Sequence, residues 1–205
     1  MTTASAALLE ATAPSDPFAL FARWYLDAET ISLPEPSAMT LATTTPDGAP
    51  DARMVLMRGF DERGFAFYTN YQSRKAAELR ANPRAALVFF WAPLARQVRV
   101  EGNVELLSAV ESDAYFNTRP FGHRLGAIVS PQSEVIPNRE FLEERLQAIQ
   151  TRYSEADSVP RPEHWGGYRV VAHTIEFWQG RENRLHDRLR YRLVGKVWQV
   201  ERLAP

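Results

Sequence analysis

The stretch Ala38–Asn70, AMTLATTTPDGAPDARMVLMRGFDERGFAFYTN, decides the fold. Its short runs of Val, Thr, Met and Phe are typical of β-strands. Pro46-Asp47-Gly48 and Asp61-Glu62-Arg63-Gly64 are tight-turn sequences that separate these runs. The pattern therefore predicts three consecutive strands with hairpin spacing, at Ala38–Thr45, Asp51–Phe60 and Phe65–Asn70.

Helices and further strands are predicted on both sides of this stretch. Asp16-Pro17 supplies the N-cap and first residue of a helix that reaches about Ile31, and a second helix is expected from Ser73 to Asn82. Residues 108–153 are predicted to be helical, with breaks at prolines 120, 131 and 137. The other strands are predicted at 84–91, 97–107, 168–178, 188–194 and 197–203.

The order of these elements predicts a mainly β, α+β architecture. Hairpin-spaced strands on both sides of a helical insertion indicate one antiparallel barrel with peripheral helices. Residues 1–14 are small and polar without periodicity, and we predict a mobile tail there. A single domain is expected over residues 15–205.

Composition excludes several classes of function. The chain has 205 residues and a net charge of -1, which is unsuited to general nucleic-acid binding. It has no cysteine, so disulfides, thiol nucleophiles and thiolate metal sites are excluded, and the histidine spacing shows no metal pair. The longest apolar run, Ala85–Ala95, is too short for a membrane span and contains a proline. We expect no metal, no membrane partner and a cytoplasmic location.

Cations occupy unusual positions in the strand and helix that follow the first hairpin. By strand alternation Arg53, Val55 and Met57 share one face, and the residues between them, with Arg58, share the other. Ser73-Arg74-Lys75 opens a helix, where free backbone N–H groups and formal charge together favour an anion. Lys75 is one of only two lysines among 24 basic residues. A solvated first helical turn is the alternative for this segment.

An ordered set of motifs resembles the pyridoxamine 5'-phosphate oxidase family over about residues 16–205. The motifs, in chain order, are Arg53-Met54-Val55-Leu56, Phe67-Tyr68-Thr69-Asn70, Ser73-Arg74-Lys75, Arg96-Gln97-Val98, Tyr115-Phe116, Arg119-Pro120, Ser130-Pro131-Gln132-Ser133, Phe177-Trp178-Gln179-Gly180 and Arg184-Leu185-His186-Asp187-Arg188. The resemblance implies an FMN-binding split β-barrel of antiparallel Greek-key type. It also implies a homodimer with FMN at the interface.

The resemblance implies a cofactor site and a substrate site. FMN would contact Arg53, Met54, Val55, Leu56, Met57, Arg58, Tyr68, Thr69, Arg74, Lys75, Gln97, Gln132, Ser133, Trp178 and Arg188. The phosphorylated substrate would contact Arg58, Tyr115, Arg119, His123, Arg184, Leu185 and His186. Arg184 and His186 would lie beside the reacting carbon as catalytic groups. Tyr115 and Arg119 are at i, i+4 spacing, which places them on one helical face.

The activity implied is oxidation of pyridoxamine 5'-phosphate and pyridoxine 5'-phosphate to pyridoxal 5'-phosphate. O₂ would be the acceptor, giving H₂O₂, with NH₃ from the amine. Two residues depart from the family pattern: Arg58 stands at a lysine position and His123 at a serine position. The family's basic N-terminal segment also has no counterpart here. Two alternatives remain, a flavin oxidase acting on a non-phosphorylated, phenazine-type ring and a non-catalytic split-barrel protein that binds flavin or pyridoxal phosphate.

Overall fold

The computed structural model describes residues 7–153 and 159–205 of the chain. Its strands form one sheet in which all pairs are antiparallel. They are β1 (Ala38–Thr44), β2 (Pro50–Leu56), β3 (Gly59–Asp61), β4 (Gly64–Asn70), β5 (Arg84–Trp91), β6 (Arg96–Leu106), β7 (Trp165–Gln179), β8 (Asp187–Val194) and β9 (Val197–Arg202). The helices are α1 (Pro17–Thr30), α2 (Arg74–Ala81), α3 (Ala109–Thr118), α4 (Phe121–Val129) and α5 (Glu140–Arg152).

The strand order forces the sheet to curl. Along the sheet the order is β2-β1-β5-β6-β7-β4-β3, and β8 and β9 continue from β7 as a branch. The outermost strands β2 and β3 are joined through only Met57 and Arg58. Because two residues span a short distance, the two ends of the sheet must lie close together. The backbone N–H of Arg58 donates to the carbonyl of Ala66 in β4 and so links them. The predicted split barrel with peripheral helices is confirmed.

Helix α1 closes the interior of this barrel. Asp16 caps it, since its side chain accepts a hydrogen bond of 3.0 Å from the backbone N–H of Phe18. Phe21 is fully buried, with its ring centroid 4.8 to 5.0 Å from those of Phe60, Phe65 and Phe89. These edge-to-face contacts make the barrel interior a packed aromatic core, so a ligand site has to lie outside it.

The element boundaries differ most from the sequence prediction in two strands. The predicted strand 51–60 is divided into β2 and β3, since the chain turns at Met57 and Arg58 to close the barrel. Strand β7 begins at Trp165 rather than at Tyr168, because Gly166 and Gly167 pair with β4. Ser73 precedes α2 as predicted, but its hydroxyl donates to the carbonyl of Asn70 and makes no cap hydrogen bond.

The N-terminal segment 7–14 is attached to β8 and β9, and the mobility predicted for the tail 1–14 stays a prediction. The backbone N–H of Leu8 donates to Asp187 at 3.2 Å, and Arg202 donates to the Leu8 carbonyl at 2.7 Å. Tyr191 donates to the carbonyl of Pro14 at 2.8 Å. Residues 1–6 of that tail lie outside the described part of the chain. No helix within 7–153 and 159–205 is long and apolar enough to cross a bilayer.

Candidate functional site

A cleft of about 660 Å³ lies between β2, β4 and the helices α3 and α4. This size is ordinary for a site that binds a cofactor or another small molecule. Twelve of the predicted site residues line it, namely Arg53, Met54, Val55, Leu56, Arg58, Tyr68, Thr69, Lys75, Tyr115, Arg119, His123 and Gln132. The remaining lining residues are Asn70, Thr118, Pro120, Gly126, Ala127, Ser130 and Trp165.

The cleft is strongly cationic. Three arginines, a lysine and a histidine line it, and none of its described lining residues is Asp or Glu. The Nζ atom of Lys75 lies 3.2 Å from Gln132 Oε1 and 3.3 Å from Thr69 Oγ1, which are neutral oxygens. Burial lowers the pKa of Lys75, and the nearby charge of Arg53 lowers it further. An anion placed here would relieve that repulsion.

Arg53 differs from Lys75 because carboxylates hold it in place. Its Nη2 atom lies 2.9 Å from Glu78, which is buried, and 2.5 Å from Asp51. Arg74 contacts the same two acids, at 2.9 and 3.1 Å, and its side chain is 64% exposed. Arg74 therefore points away from the cleft, although it precedes Lys75 in the chain. The two acids balance the two arginines, which leaves the charge of Lys75 for a ligand.

Arg119, like Lys75 and Arg58, lines the cleft and forms no ion pair with a carboxylate among the described residues. Its Nη1 atom is buried and has no hydrogen-bond partner within the described residues. Burial lowers its pKa, and the charge of Arg58 acts in the same direction. The guanidinium carbon lies 4.6 Å from the ring centroid of Trp165 and 5.6 Å from that of Phe116. An unpaired buried donor of this kind is expected where an anionic ligand binds.

Stacked aromatic rings form one wall of the cleft. The rings of Tyr68 and Tyr115 are 4.0 Å apart at 20°, and Tyr68 stacks on Trp165 at 5.5 Å and 12°. Gly167 permits this arrangement, because a Cβ atom there would come within 2.8 Å of the Tyr68 ring. The wall offers flat apolar surface beside the cations, as a ring-bearing phosphate ester requires.

Six of the other nine predicted residues form a second cluster at the far end of β7. Trp178 pairs with Gln97 on β6 and with Arg188 on β8. We call these three residues, with Arg184, Leu185 and His186 of the following loop, the Trp178 group. Trp165 is the first residue of the 15-residue strand β7, and Trp178 is the next to last. A strand of that length runs about 45 Å at roughly 3.3 Å per residue. No member of this group lines the cleft of its own subunit.

A hydrogen bond within the loop from Arg181 to Asp187 selects one tautomer of the neutral His186 ring. The backbone N–H of Arg181 donates to His186 Nδ1 at 3.1 Å. Since an amide N–H can only donate, Nδ1 carries no proton and the neutral ring has its proton on Nε2. The imidazole also packs 4.6 Å from the Trp178 ring. His186 therefore presents an N–H donor at its outer edge.

The loop backbone is strained beside these groups. Asn183 and Arg184 have φ values of 55° and 60°, in the left-handed region that non-glycine residues seldom adopt. Ser133, next to Gln132, has φ of 75°. Such strain concentrates at functional segments. Arg184 has φ of 60° and Leu185 has φ of -83° with ψ of 63°, so the segment 184–186 is not an extended strand.

Several other predicted positions need correction or stay predictions. Met57 is 5% exposed and belongs to the barrel core, so the cleft does not include it. Arg119 is the C-cap of α3, with a near-helical φ of -73°, so its side chain still follows the helical spacing from Tyr115, and both residues line the cleft. Arg74 and Ser133 lie outside its lining, and their contacts with FMN remain predictions.

Trp165 is the cleft residue that sequence reasoning missed. The strand was predicted to begin at Tyr168, so Trp165 was placed in a loop. The signal was the sequence Trp165-Gly166-Gly167, in which two small residues leave room for neighbouring aromatic rings. Thr118 and Ser130 also line the cleft. These residues lie at the ends of α3, α4 and β7, and such positions become neighbours only through packing.

The fold and the cleft together define a split-barrel protein with a site for a small anion that carries a ring. Residues 28–153 match the family model for pyridoxamine 5'-phosphate oxidase. Residues 165–205 match the model for the pyridoxine 5'-phosphate oxidase C-terminal dimerisation region. That second segment contains Trp178, the 181–187 loop and Arg188.

Relatives that align with nearly the whole chain support the same family. Pyridoxine/pyridoxamine 5'-phosphate oxidase from Thermosynechococcus vestitus is 60% identical, covering 97% of this chain and 93% of the relative. The enzyme of that name from Bordetella petrii is 58% identical with the same coverage of both chains. The solved structure of PhzG from Burkholderia lata 383, in complex with tetrahydrophenazine-1-carboxylic acid, superposes with a TM-score of 0.91 at 31% identity. It covers 97% of this chain and 98% of PhzG.

The chain belongs to the pyridoxamine 5'-phosphate oxidase family. The predictions of an oxidoreductase and of FMN as its cofactor are confirmed at the level of this family. The C-terminal match supports the predicted homodimer. An FMN-binding protein from Nostoc punctiforme, related to this oxidase, shares the fold with a TM-score of 0.75 at 19% identity over 94% of this chain and all of that one.

Proposed function

We propose that the protein is a cytoplasmic oxidase that converts pyridoxamine 5'-phosphate and pyridoxine 5'-phosphate to pyridoxal 5'-phosphate. The observation that carries this proposal is the presence of two separate unneutralised cations, Lys75 and Arg119, in one cleft with an aromatic wall. A phosphorylated cofactor and a phosphorylated substrate together bring two such anions. The names of the relatives at 58 to 60% identity support the same reaction.

The residues around Lys75 fit the phosphate end of FMN. A phosphate dianion needs a cation together with hydroxyl and amide groups. Lys75, Thr69 and Gln132 supply these within hydrogen-bond distance of one another, with Thr69 Oγ1 2.9 Å from Gln132 Oε1. Arg53 adds a guanidinium already fixed by Glu78. We assign these four residues to the cofactor phosphate.

Arg119 fits the phosphate of the substrate. Its buried Nη1 atom needs an acceptor, and Arg58, Tyr115 and His123 line the same cleft. Two arginines with planar guanidinium groups can each bind phosphate oxygens in pairs. His123 adds a hydrogen-bond donor at a position where the family has a serine.

We further propose that each active site combines the cleft of one subunit with the Trp178 group of the other. Within one chain the group lies outside the cleft, at the opposite end of β7. All of its members except Gln97 lie in the segment that matches the dimerisation region. A twofold dimer presents the same patch twice, so it would complete two equivalent sites. FMN would then lie at the interface.

The protein's part in the reaction is positioning and electrostatics. When bound, FMN supplies the two-electron acceptor and the route by which electrons reach O₂. Arg184 and His186 would lie over the substrate ring, the first as a cation and the second as a donor through Nε2–H. The alcohol and O₂ give aldehyde and H₂O₂. The amine, O₂ and water give aldehyde, NH₃ and H₂O₂.

Peroxide release tests the proposal. Purified protein loaded with FMN is mixed with pyridoxine 5'-phosphate, pyridoxamine 5'-phosphate, pyridoxine or tetrahydrophenazine-1-carboxylic acid, and H₂O₂ is measured with O₂ consumption. We expect one H₂O₂ per O₂ with the two phosphorylated vitamers and much slower release with pyridoxine. Preference for the phenazine would favour the activity suggested by the likeness to PhzG. Tight vitamer binding without peroxide would favour a non-catalytic binding protein.

A further inference from the structure

The half-buried guanidinium of Arg119, with its buried Nη1 atom, rests on an aromatic surface where a carboxylate would be usual. Its carbon is 4.6 Å from the Trp165 centroid, and Trp165 is only 6% exposed. A cation over an indole face is attracted by the ring quadrupole, and this attraction leaves the formal charge intact. A carboxylate partner would hold the guanidinium equally well but would cancel its charge.

A second arginine–tryptophan pair in the same molecule shows the alternative arrangement, in which an acid also binds the arginine. Arg96 lies 4.6 Å over Trp24, a tryptophan that is 5% exposed. Arg96, however, also donates to Asp27 at 2.6 Å and to Gln179 at 2.9 Å. Two arginines thus have the same ring geometry, and only the one outside the site is neutralised by an acid.

Trp165 is itself held rigidly enough to orient another side chain. Its backbone pairs with Asn70 on β4, and its carbonyl accepts a 2.6 Å hydrogen bond from Arg161. On the ring side it stacks with Tyr68 at 5.5 Å and with Tyr115 at 6.2 Å. The ring position is therefore set by a strand and by the aromatic wall.

We propose that Trp165 is a positioning residue for substrate recognition, which holds the Arg119 guanidinium in place by its ring face and leaves the charge free for the substrate phosphate. This rests on the proposed function, since it takes the ligand of Arg119 to be the phosphate of a B6 vitamer. Trp165 contacts no reacting atom in this account. Its effect is confined to the affinity for phosphorylated ligands.

The test compares Trp165→Phe and Trp165→Leu with Trp24→Phe and Trp24→Leu in the FMN-loaded enzyme. Phenylalanine keeps a weaker ring face and leucine removes it, so we expect KM for pyridoxine 5'-phosphate to rise about threefold and about tenfold, respectively. We expect kcat and the FMN Kd to stay within about twofold of wild type. The Kd for pyridoxal 5'-phosphate, measured by calorimetry, should rise in parallel with KM.

The Trp24 variants control for simple loss of packing. They remove an equally buried tryptophan beneath an arginine, so we expect a lower Tm with KM and Kd unchanged. If the Trp165 variants lose Tm as the Trp24 variants do while the phosphorylated-ligand KM and Kd stay at wild-type values, Trp165 is a core residue and the inference is wrong. Equal weakening for pyridoxine and its phosphate would also overturn it.

The two proposals can fail separately. If wild type releases no peroxide with any phosphorylated vitamer, the proposed function fails, and the Kd series for pyridoxal 5'-phosphate still tests Trp165. If wild type turns over and the Trp165→Phe variant folds with an unchanged Kd, the positioning role fails alone. The phenylalanine variant serves this purpose even where leucine prevents folding.

Discussion

The cleft and the Trp178 group use arginine in opposite ways. In the cleft, Arg119 lies buried on aromatic rings with an unpaired Nη1 atom. In the Trp178 group, Arg188 donates to the buried Glu176 at 2.8 Å and to the carbonyl of Ala204. The first arrangement leaves the positive charge of Arg119 available for a ligand. The second uses the positive charge of Arg188 to hold β8 in place. One residue type therefore performs recognition in one region and support in the other.

Acidic residues account for this difference. Asp187 accepts hydrogen bonds from Arg181 at 2.6 Å, from Arg202 at 3.1 Å and from the backbone of Leu8. It thereby holds the loop that carries His186 against the N-terminal segment. None of the cleft's described lining residues is acidic. In the cleft, Arg119 keeps an unpaired donor, whereas Arg53 is paired with Asp51 and Glu78, which lie outside the lining.

The largest expected effect comes from mixing two variants, each of which has a defect in one of the two regions. Lys75→Met and Arg184→Ala each remove one half of the proposed composite site, so each homodimer should be nearly inactive. In a refolded equal mixture half of the dimers are mixed, and each has one site with both halves intact. We expect recovery to about a quarter of wild-type activity, the value for random pairing of twofold dimers.

The matched control for that mixture is Lys196→Met, at the other lysine of the chain, which is exposed in the turn between β8 and β9. It should be fully active alone and should retain FMN. Size-exclusion chromatography establishes that the mixed species is a dimer. If the mixture stays as inactive as its parents, the two regions act within one subunit and the interface proposal is wrong.

A smaller effect is expected within the cleft alone. Arg119→Ala removes the charged hydrogen bonds to the substrate phosphate, and we expect KM for pyridoxine 5'-phosphate to rise by about ten- to a hundredfold. FMN should stay bound, since its phosphate is assigned to Lys75 and Arg53. Steady-state kinetics with flavin absorbance measures both quantities. Arg139→Ala, at the exposed residue that precedes α5, is the control. An unchanged KM for Arg119→Ala would mean that the substrate phosphate lies elsewhere.

The smallest effect concerns the support of the Trp178 group. Burial by itself raises the pKa of Asp187, but hydrogen bonds from Arg181, Leu8 and Arg202 outweigh it and place the pKa below its usual range. A lowered folded-state pKa stabilises the protein above the unfolded value of about 3.9, and that stability is lost as the pH falls through the folded pKa. Asp187→Asn should therefore lower the Tm at pH 7 by about 2 to 4 °C.

Thermal unfolding between pH 3 and pH 7, at one protein concentration, checks the direction of this pH dependence of stability. The difference between wild type and Asp187→Asn should shrink as the pH falls below about 4. Glu143→Gln breaks an exposed ion pair with Arg139 on α5 and should leave Tm within about 1 °C. A difference that persists unchanged to pH 3 would show that the carboxylate charge of Asp187 is not what stabilises the loop.

Local sequence signals predicted most of the elements. Alternating apolar residues and turn sequences located β1, β4, β5 and β8 to within one or two residues, because these signals depend on near neighbours. The break at Met57 and Arg58 was not predictable, since barrel closure causes it. Likewise, the left-handed backbone at Asn183 and Arg184 was not predictable, because neither residue is the glycine that usually signals it. The surrounding packing imposes that backbone geometry.

By itself, the sequence determined the order of strands and helices and the family. It also predicted which cations would bind the phosphates of the cofactor and the substrate. Only the tertiary structure decided which of those cations keep their charge. Arg53 and Arg74 are neutralised by Asp51 and Glu78, whereas Arg119 rests on Trp165. The reason is physical: neutralisation depends on groups far apart in the chain that the curled sheet brings within a few ångströms. Strand β7 separates the Trp178 group from the cleft of the same chain, so the proposed composite site would draw on a second subunit.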